Sequence, residues 1–195
     1  MRILILFAGL VCVCSFSACG IAPPTENLNM AKAAIAKAEE AKADRFAADE
    51  YKAANDDLTA GQSKMVPKKN KKNKDAKKDF EDSQKQAEAA YVKAAPAYAG
   101  FNIDEAAKVR KSADEIKAAV AVKEQYEKAQ ALLAEAETAR AAGNFEEAWT
   151  KAGQAKTLFD DVYKVTVEKK TAAEDAMKNA DGAIKKAEEK QGGGE

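Results

Sequence analysis

Two apolar stripes meet at one turn between residues 129 and 163, and that pairing leaves few folds open to the chain. After the turn Phe145, Ala148, Trp149, Ala152, Ala155, Phe159, Val162 and Tyr163 recur at spacings of three and four, so they line one face of a helix. Before it Leu132, Leu133, Ala136 and Ala139 form a second such face. Gly143 can take the left-handed conformation that ends a helix, and Asn144 with Glu147 three residues on reads as an N-cap with a capping box. The small residues let the two backbones come close. Ala, Lys and Glu dominate the whole chain, the composition of long helices rather than of sheets. The expected fold class is all-α: an antiparallel helical bundle of about five helices, with long helices and this hairpin as its largest apolar face.

Reading along the chain, a first helix is expected over 26–43, capped by Thr25 or Asn27, with Ala31, Ala34, Ile35, Ala38 and Ala41 on one side. Asp44-Arg45 marks a soft break before a second helix over 46–59 carrying Ala47, Tyr51, Ala54 and Leu58, so 26–60 reads as a hairpin. The segment 61–75 reads as a Lys-rich loop around Pro67, and with Lys77 and Lys78 its like charges repel and have nothing apolar to bury. The run 68–78 is either solvated surface or a contact for anionic lipid headgroups or acidic glycans, at about 1 kcal/mol per basic residue near a charged membrane.

The stretch 76–190 is then given to long helices. One covers 76–95 and ends at Pro96, where Tyr91, Val92, Tyr98 and Phe101 are expected to plug the end of the bundle. Asn102, with Glu105 three residues on, caps the next. Its stripe of Ala106, Val109, Ala113, Ile116 and Val120 continues without Gly or Pro toward Gly143, about 38 residues or ~57 Å of one helix. The last helix runs from Phe145 through Ala173, Ala176, Met177, Ala180, Ile184 and Ala187, and the Gly-rich tail 191–195 frays. An internal repeat is readable between 31–51 and 129–149 with one residue inserted in the first copy. It rests on Phe46 with Phe145 and Tyr51 with Trp149, because alanines align easily, and it stays open.

The first residues suggest an address. Arg2 followed by the apolar run 3–14 has the form of a signal peptide, too short for the roughly 20 apolar residues that span a bilayer. The segment Phe16-Ser17-Ala18-Cys19, followed by Gly20, resembles the lipobox of bacterial lipoproteins, in the looser form seen in spirochaetal ones, with Phe16 where an aliphatic residue is common. That resemblance implies a signal over 1–18, diacylation of Cys19 as the lipid-attachment residue, a lipidated tether over 19–25 and a bundle over 26–190. Val11 and Val13 make Cys12 and Cys14 poorer matches, and the alternative is an ordinary secretory signal cleaved near Ala18. With Cys19 acylated, the mature chain holds no other Cys for a disulfide or a metal site.

Two further resemblances rest on the helices. Ala136, Gly143-Asn144-Phe145, Glu147-Ala148, Ala152 and Ala155 make 132–155 similar to one tetratricopeptide repeat, although an early large aromatic and a closing proline are missing and such arrays need about three units to bury a core. The span 31–58, with its A-x-x-A-I-x-x-A spacing, an aromatic and Glu50-Tyr51, resembles the alanine-rich module of a bacterial lipoprotein family of unknown function. That likeness implies a helical cell-envelope protein and supplies no site residues.

Chemistry is scarce. Lys plus Arg equals Asp plus Glu at 32 each, so no charge field points to nucleic acid, and the chain holds no His to act as general base or metal ligand. The pairs Asp56-Asp57, Glu146-Glu147, Asp160-Asp161 and Glu188-Glu189 are neighbours on helices, about 100° apart, which suits solvated surface rather than acid–base work. That surface is helped by pairs such as Asp104–Lys108, Glu124–Lys128 and Glu174–Lys178. No calcium loop or phosphate loop is present in the sequence. No catalytic residue, metal or cofactor is therefore expected. The function expected is a non-enzymatic scaffold or adaptor in the cell envelope, most simply at the outer membrane, held by N-terminal acyl chains and meeting a protein partner. Its oligomeric state is open. The alternatives are a binding protein for a small apolar ligand, with Phe145, Trp149, Phe159 and Tyr163 lining the groove, or a surface-exposed antigen or adhesin.

Overall fold

The computed structural model describes residues 22–65 and 69–192 of the chain; the expected signal over 1–18, Cys19, Pro67, Lys68 and the last three residues lie outside them. The described residues form seven helices and no strand, an all-α bundle. They are α1 (Thr25–Glu40), α2 (Ala43–Phe46), α3 (Ala48–Lys64), α4 (Asn70–Glu115), α5 (Ala118–Ala121), α6 (Lys123–Ala141) and α7 (Phe145–Gly192).

Two of the breaks between helices have one geometry. Lys42 and Lys117 are left-handed, at φ 55° and 59°, and each N–H donates to the carbonyl three residues back, Glu39 and Asp114. A four-residue helix follows each, then Ala47 or Val122 at φ −150° or −142° and ψ 48° or 55°, then a long helix. The two breaks are 75 residues apart. At that offset Ala31, Ala38, Ala43, Tyr51, Ala54 and Leu58 match Ala106, Ala113, Ala118, Tyr126, Ala129 and Leu133 in type. Among the described residues the two breaks thus open two units of like geometry. The 31–51 and 129–149 pairing left open above instead sets the left-handed Lys42 opposite Arg140, inside α6.

Each unit is an up-down-up bundle of three helices. In the first, α1 runs parallel to the start of α4, since Ala31 packs with Ala76 and Phe80, then Ile35 with Ala87, then Ala38 with Ala90. Between them α3 runs antiparallel to α4, with Ser83 donating its hydroxyl to the Ala54 carbonyl at 2.7 Å and Gly61 against Phe80. In the second unit the end of α4 takes the place of α1, α6 that of α3, and α7 that of the start of α4. The α6–α7 pair is antiparallel, with Ala139 near Ala148, Lys151 on Glu135 at 2.6 Å and Tyr126 on Phe159. Helix α4, about 69 Å over its 46 residues, therefore serves both units and stacks them end to end.

Most of the buried seam positions are alanines at or near zero exposure, filled out by Phe80 in one unit and Phe159 in the other. The turn before α7 is a Schellman cap. Gly143 sits at φ 80°, its N–H donates to Arg140, and the Asn144 N–H donates to Ala139 at 2.8 Å.

Several expectations are corrected. Pro96 lies inside α4 and does not end it. It removes one backbone bond, to Val92, which is 71% exposed and so on a stretch open to water. Ala94, Ala95 and Ala99, all fully buried against neighbouring helices, hold the helix through that point. Asn102 is likewise interior and donates to the Tyr98 carbonyl instead of capping a helix. The single helix expected from 104 to 143 is broken at Lys117. Much of the expected Lys-rich loop is helical: α3 runs to Lys64 and α4 begins at Asn70, because the seam of Asn73, Ala76 and Phe80 starts there. Helix α1 starts at Thr25 with Pro24 as its N-cap and no side-chain cap. Lys108 and Lys178 pair with Glu105 and Asp175, three residues away, rather than with Asp104 and Glu174.

Candidate functional site

The stacking of the two units creates a junction. There the α1–α3 break of the first unit meets the α6–α7 turn of the second, with α4 passing beside both. Phe46 lies 5.9 Å from Tyr98 and 6.0 Å from Phe101, and Tyr98 lies 5.2 Å from Trp149, all at tilted angles that suit aromatic pairs. The Arg45 guanidinium stands over Phe101 at 4.3 Å and over Phe46 at 5.0 Å. On α4, Gly100 leaves room for the Arg140 guanidinium, which would lie 2.9 Å from a Cβ at that position. Each of these rings is half-buried, and an open groove of about 540 Å³ beside them is lined by Tyr91, Phe145, Glu147, Thr150 and Lys151.

The four aromatic residues expected to share a groove do not come together. Phe145 and Trp149 are half-buried at the junction, against the alanines of α2 and α4. Phe159 lies about 21 Å further along α7 and is fully buried in the second core, its ring edge-on to Tyr126 at 5.6 Å. Tyr163 is 40% exposed. A stripe at helical spacing spreads along a helix that crosses from the junction into the second core, so its members meet different neighbours. Tyr91, Tyr98 and Phe101, expected to plug a bundle end, gather instead between two bundles.

Electrostatics are those of a supporting framework. The Tyr126 phenol, which donates to the Asp114 carboxylate, is pushed up to about 12, first by burial and then by that carboxylate. Lys93 donates to Glu50 at 2.8 Å and holds its carboxyl below the ordinary range. Burial, then Asp82, Asp79 and Asp56 around it, raises Asp57, while Lys64 bonds Asp79 at 2.7 Å. Among the described residues no group of three or more His, Cys, Asp or Glu side chains could hold a metal ion, and no helix is long and apolar enough to cross a membrane.

A second surface lies at the far end of the second unit. The seam of α7 is buried as far as Thr166, and from 167 to 188 every residue is exposed. That extension is about 33 Å of helix, touched at its root where Lys169 donates to the Ala121 carbonyl at 3.0 Å. At its root a groove of about 410 Å³ is lined by Val122, Leu158, Val162 and Val165 with Lys164 and Glu168, and Val120 beside it is 84% exposed. No family model matches the chain, and neither the curated proteins nor the solved structures searched yield a match.

Proposed function

We propose that this chain is a non-enzymatic scaffold of a bacterial cell envelope, held at the outer membrane by acyl chains on Cys19 and offering helical surfaces to a protein partner. The observation that carries the reading is the placement of the two ends. Ala31 near the start of α1 packs beside the start of α4, whereas Lys169 at the root of the α7 extension reaches the Ala121 carbonyl just past α4's far end. A chain tethered ahead of α1 therefore holds its unpaired helix away from the anchoring surface, at the end of a rod. Two or more acyl chains anchor such a rod firmly where one alone binds marginally.

The reading of an apolar ligand held between helices has less support, because alanines, Phe80 and Phe159 fill the seams and the grooves open outward. The anchor is tested by the intact mass of the protein taken from its native membrane, with Cys19→Ala as control. The expected mass is that of 19–195 plus acyl chains, lost in the variant; an unacylated species in both would contradict it. Protease access on intact cells separates a periplasm-facing scaffold from a surface-exposed antigen or adhesin.

A further inference from the structure

The α7 extension deepens the scaffold reading, because its surface specifies a partner. The buried positions Ala148, Ala152, Ala155, Phe159, Val162 and Thr166 step by four and three. The same step continues past the folded body through Lys169, Ala173, Ala176, Ala180, Ala183 and Ala187, with Met177 and Ile184 beside it at 68% and 56% exposure. Beyond the first unit α4 carries on in the same way, and there α6 and α7 of this chain cover it. Past Lys169, which donates to the Ala121 carbonyl, every described α7 side chain as far as 188 is exposed. We propose that the α7 extension pairs antiparallel with the same segment of a second copy of this chain.

Charge favours that occupant. Over 167–188 five Lys face five Asp or Glu, so two copies do not repel and the segment has no bias toward an anionic membrane or an acidic partner. Small residues at the seam need a partner that also presents small residues if the backbones are to approach, which a second copy does. Two faces about 33 Å long and about 10 Å wide, plus the valine groove at each root, cover on the order of 1,000 Å², near the lower bound for a specific interface. Direction follows from Lys169. A parallel pair sets it against its own copy, whereas an antiparallel pair sets it beside the distal alanines and brings each tail's end toward the other's valine groove.

The test is sedimentation equilibrium of the full chain in density-matched detergent, with Cys12, Cys14 and Cys19 changed to Ser. A reversible dimer is expected. Ala180→Glu should weaken it at least about tenfold with unchanged melting of the folded body, and Thr171→Glu on the opposite face should not. On oxidation Met177→Cys should cross-link and Lys169→Cys should not. A monomeric wild type, an Ala180→Glu dimer of wild-type strength, vesicle binding by a monomer that Ala180→Glu abolishes, or equal cross-linking at both positions would each overturn the proposal. Failure here is distinct from failure of the anchor, which Cys19→Ala reads in the native membrane.

Discussion

Replacing Gly61 by Ala should destabilise the chain, although the same change normally stabilises a helix. Gly61 lies on the buried face of α3, and a Cβ there would sit 2.4 Å from Cε1 and 2.6 Å from Cδ1 of Phe80. That is about 1 Å inside the ordinary contact distance of 3.4 Å. Phe80 is fully buried in a cluster with Ala31 and Ala76, so its ring has no free volume to enter. The gain in helix propensity is about 1 kcal/mol, and overpacking costs about 1–3 kcal/mol, with this geometry at the upper end. The net loss is about 2 kcal/mol, or roughly 4–8 °C in Tm for a chain of this length. Gly153→Ala is the control: apart from its chain neighbours and its own helix backbone nothing lies within 4 Å of its Cβ position, so it should gain about 1 kcal/mol. Far-ultraviolet circular dichroism during heating and urea titration reads both. A Phe80→Leu background should relieve most of the Gly61→Ala loss. Wild-type stability in Gly61→Ala, or strict additivity with Phe80→Leu, would refute the reasoning.

Other expectations follow from the same contacts. Lys42→Gly and Lys117→Gly each remove the cost of a left-handed side-chain residue, about 1–2 kcal/mol, against the added chain entropy of Gly, about 0.5–1 kcal/mol. Each should raise the urea midpoint, and a lowered midpoint would show that the break is not left-handed. Phe159→Ala should cost about 3–5 kcal/mol, while Tyr163→Ala on the exposed side should stay within about 0.5 kcal/mol; equal losses in urea titration would place both rings in one site. Absorbance titration should show one tyrosine, Tyr126, ionising near 12. Its pKa is raised in the folded state, so the stability it adds is full below about pH 10 and lost as pH rises toward 12; a stability rising through that window would contradict it.

The all-α class and most seam positions were legible because helical period needs only apolar spacing, and Ala31, Ile35, Ala54, Ala136 and Phe159 are buried where their stripes put them. The long reach of α7 was legible for the same reason. What escaped was whatever tertiary packing decides. Pro96 is a strong local stop signal, yet buried alanines on both sides keep α4 whole. Lys42 and Lys117 carry no local turn signal, since Lys is not a residue that favours a left-handed backbone. The signal that could have found them is the repeat itself. Ala38-Glu39-Glu40-Ala41-Lys42-Ala43 and Ala113-Asp114-Glu115-Ile116-Lys117-Ala118 share a pattern, and Tyr51 and Tyr126 follow each at the same distance. Of the site, the aromatic residues were visible but their grouping was not. Phe46, Tyr98, Phe101 and Trp149 come from three helices that meet only when the two units stack.

The central claim is that one unbroken helix joins two like units across Pro96. The most direct measurement is the distance between spin labels at Lys77 and Lys111, both exposed on α4, in the full chain with its native cysteines replaced. A continuous helix places the two backbones about 51 Å apart, with a narrow distribution. A broad distribution, or a distance below about 40 Å, would mean that the chain folds back at Pro96, and the two-unit rod would be wrong.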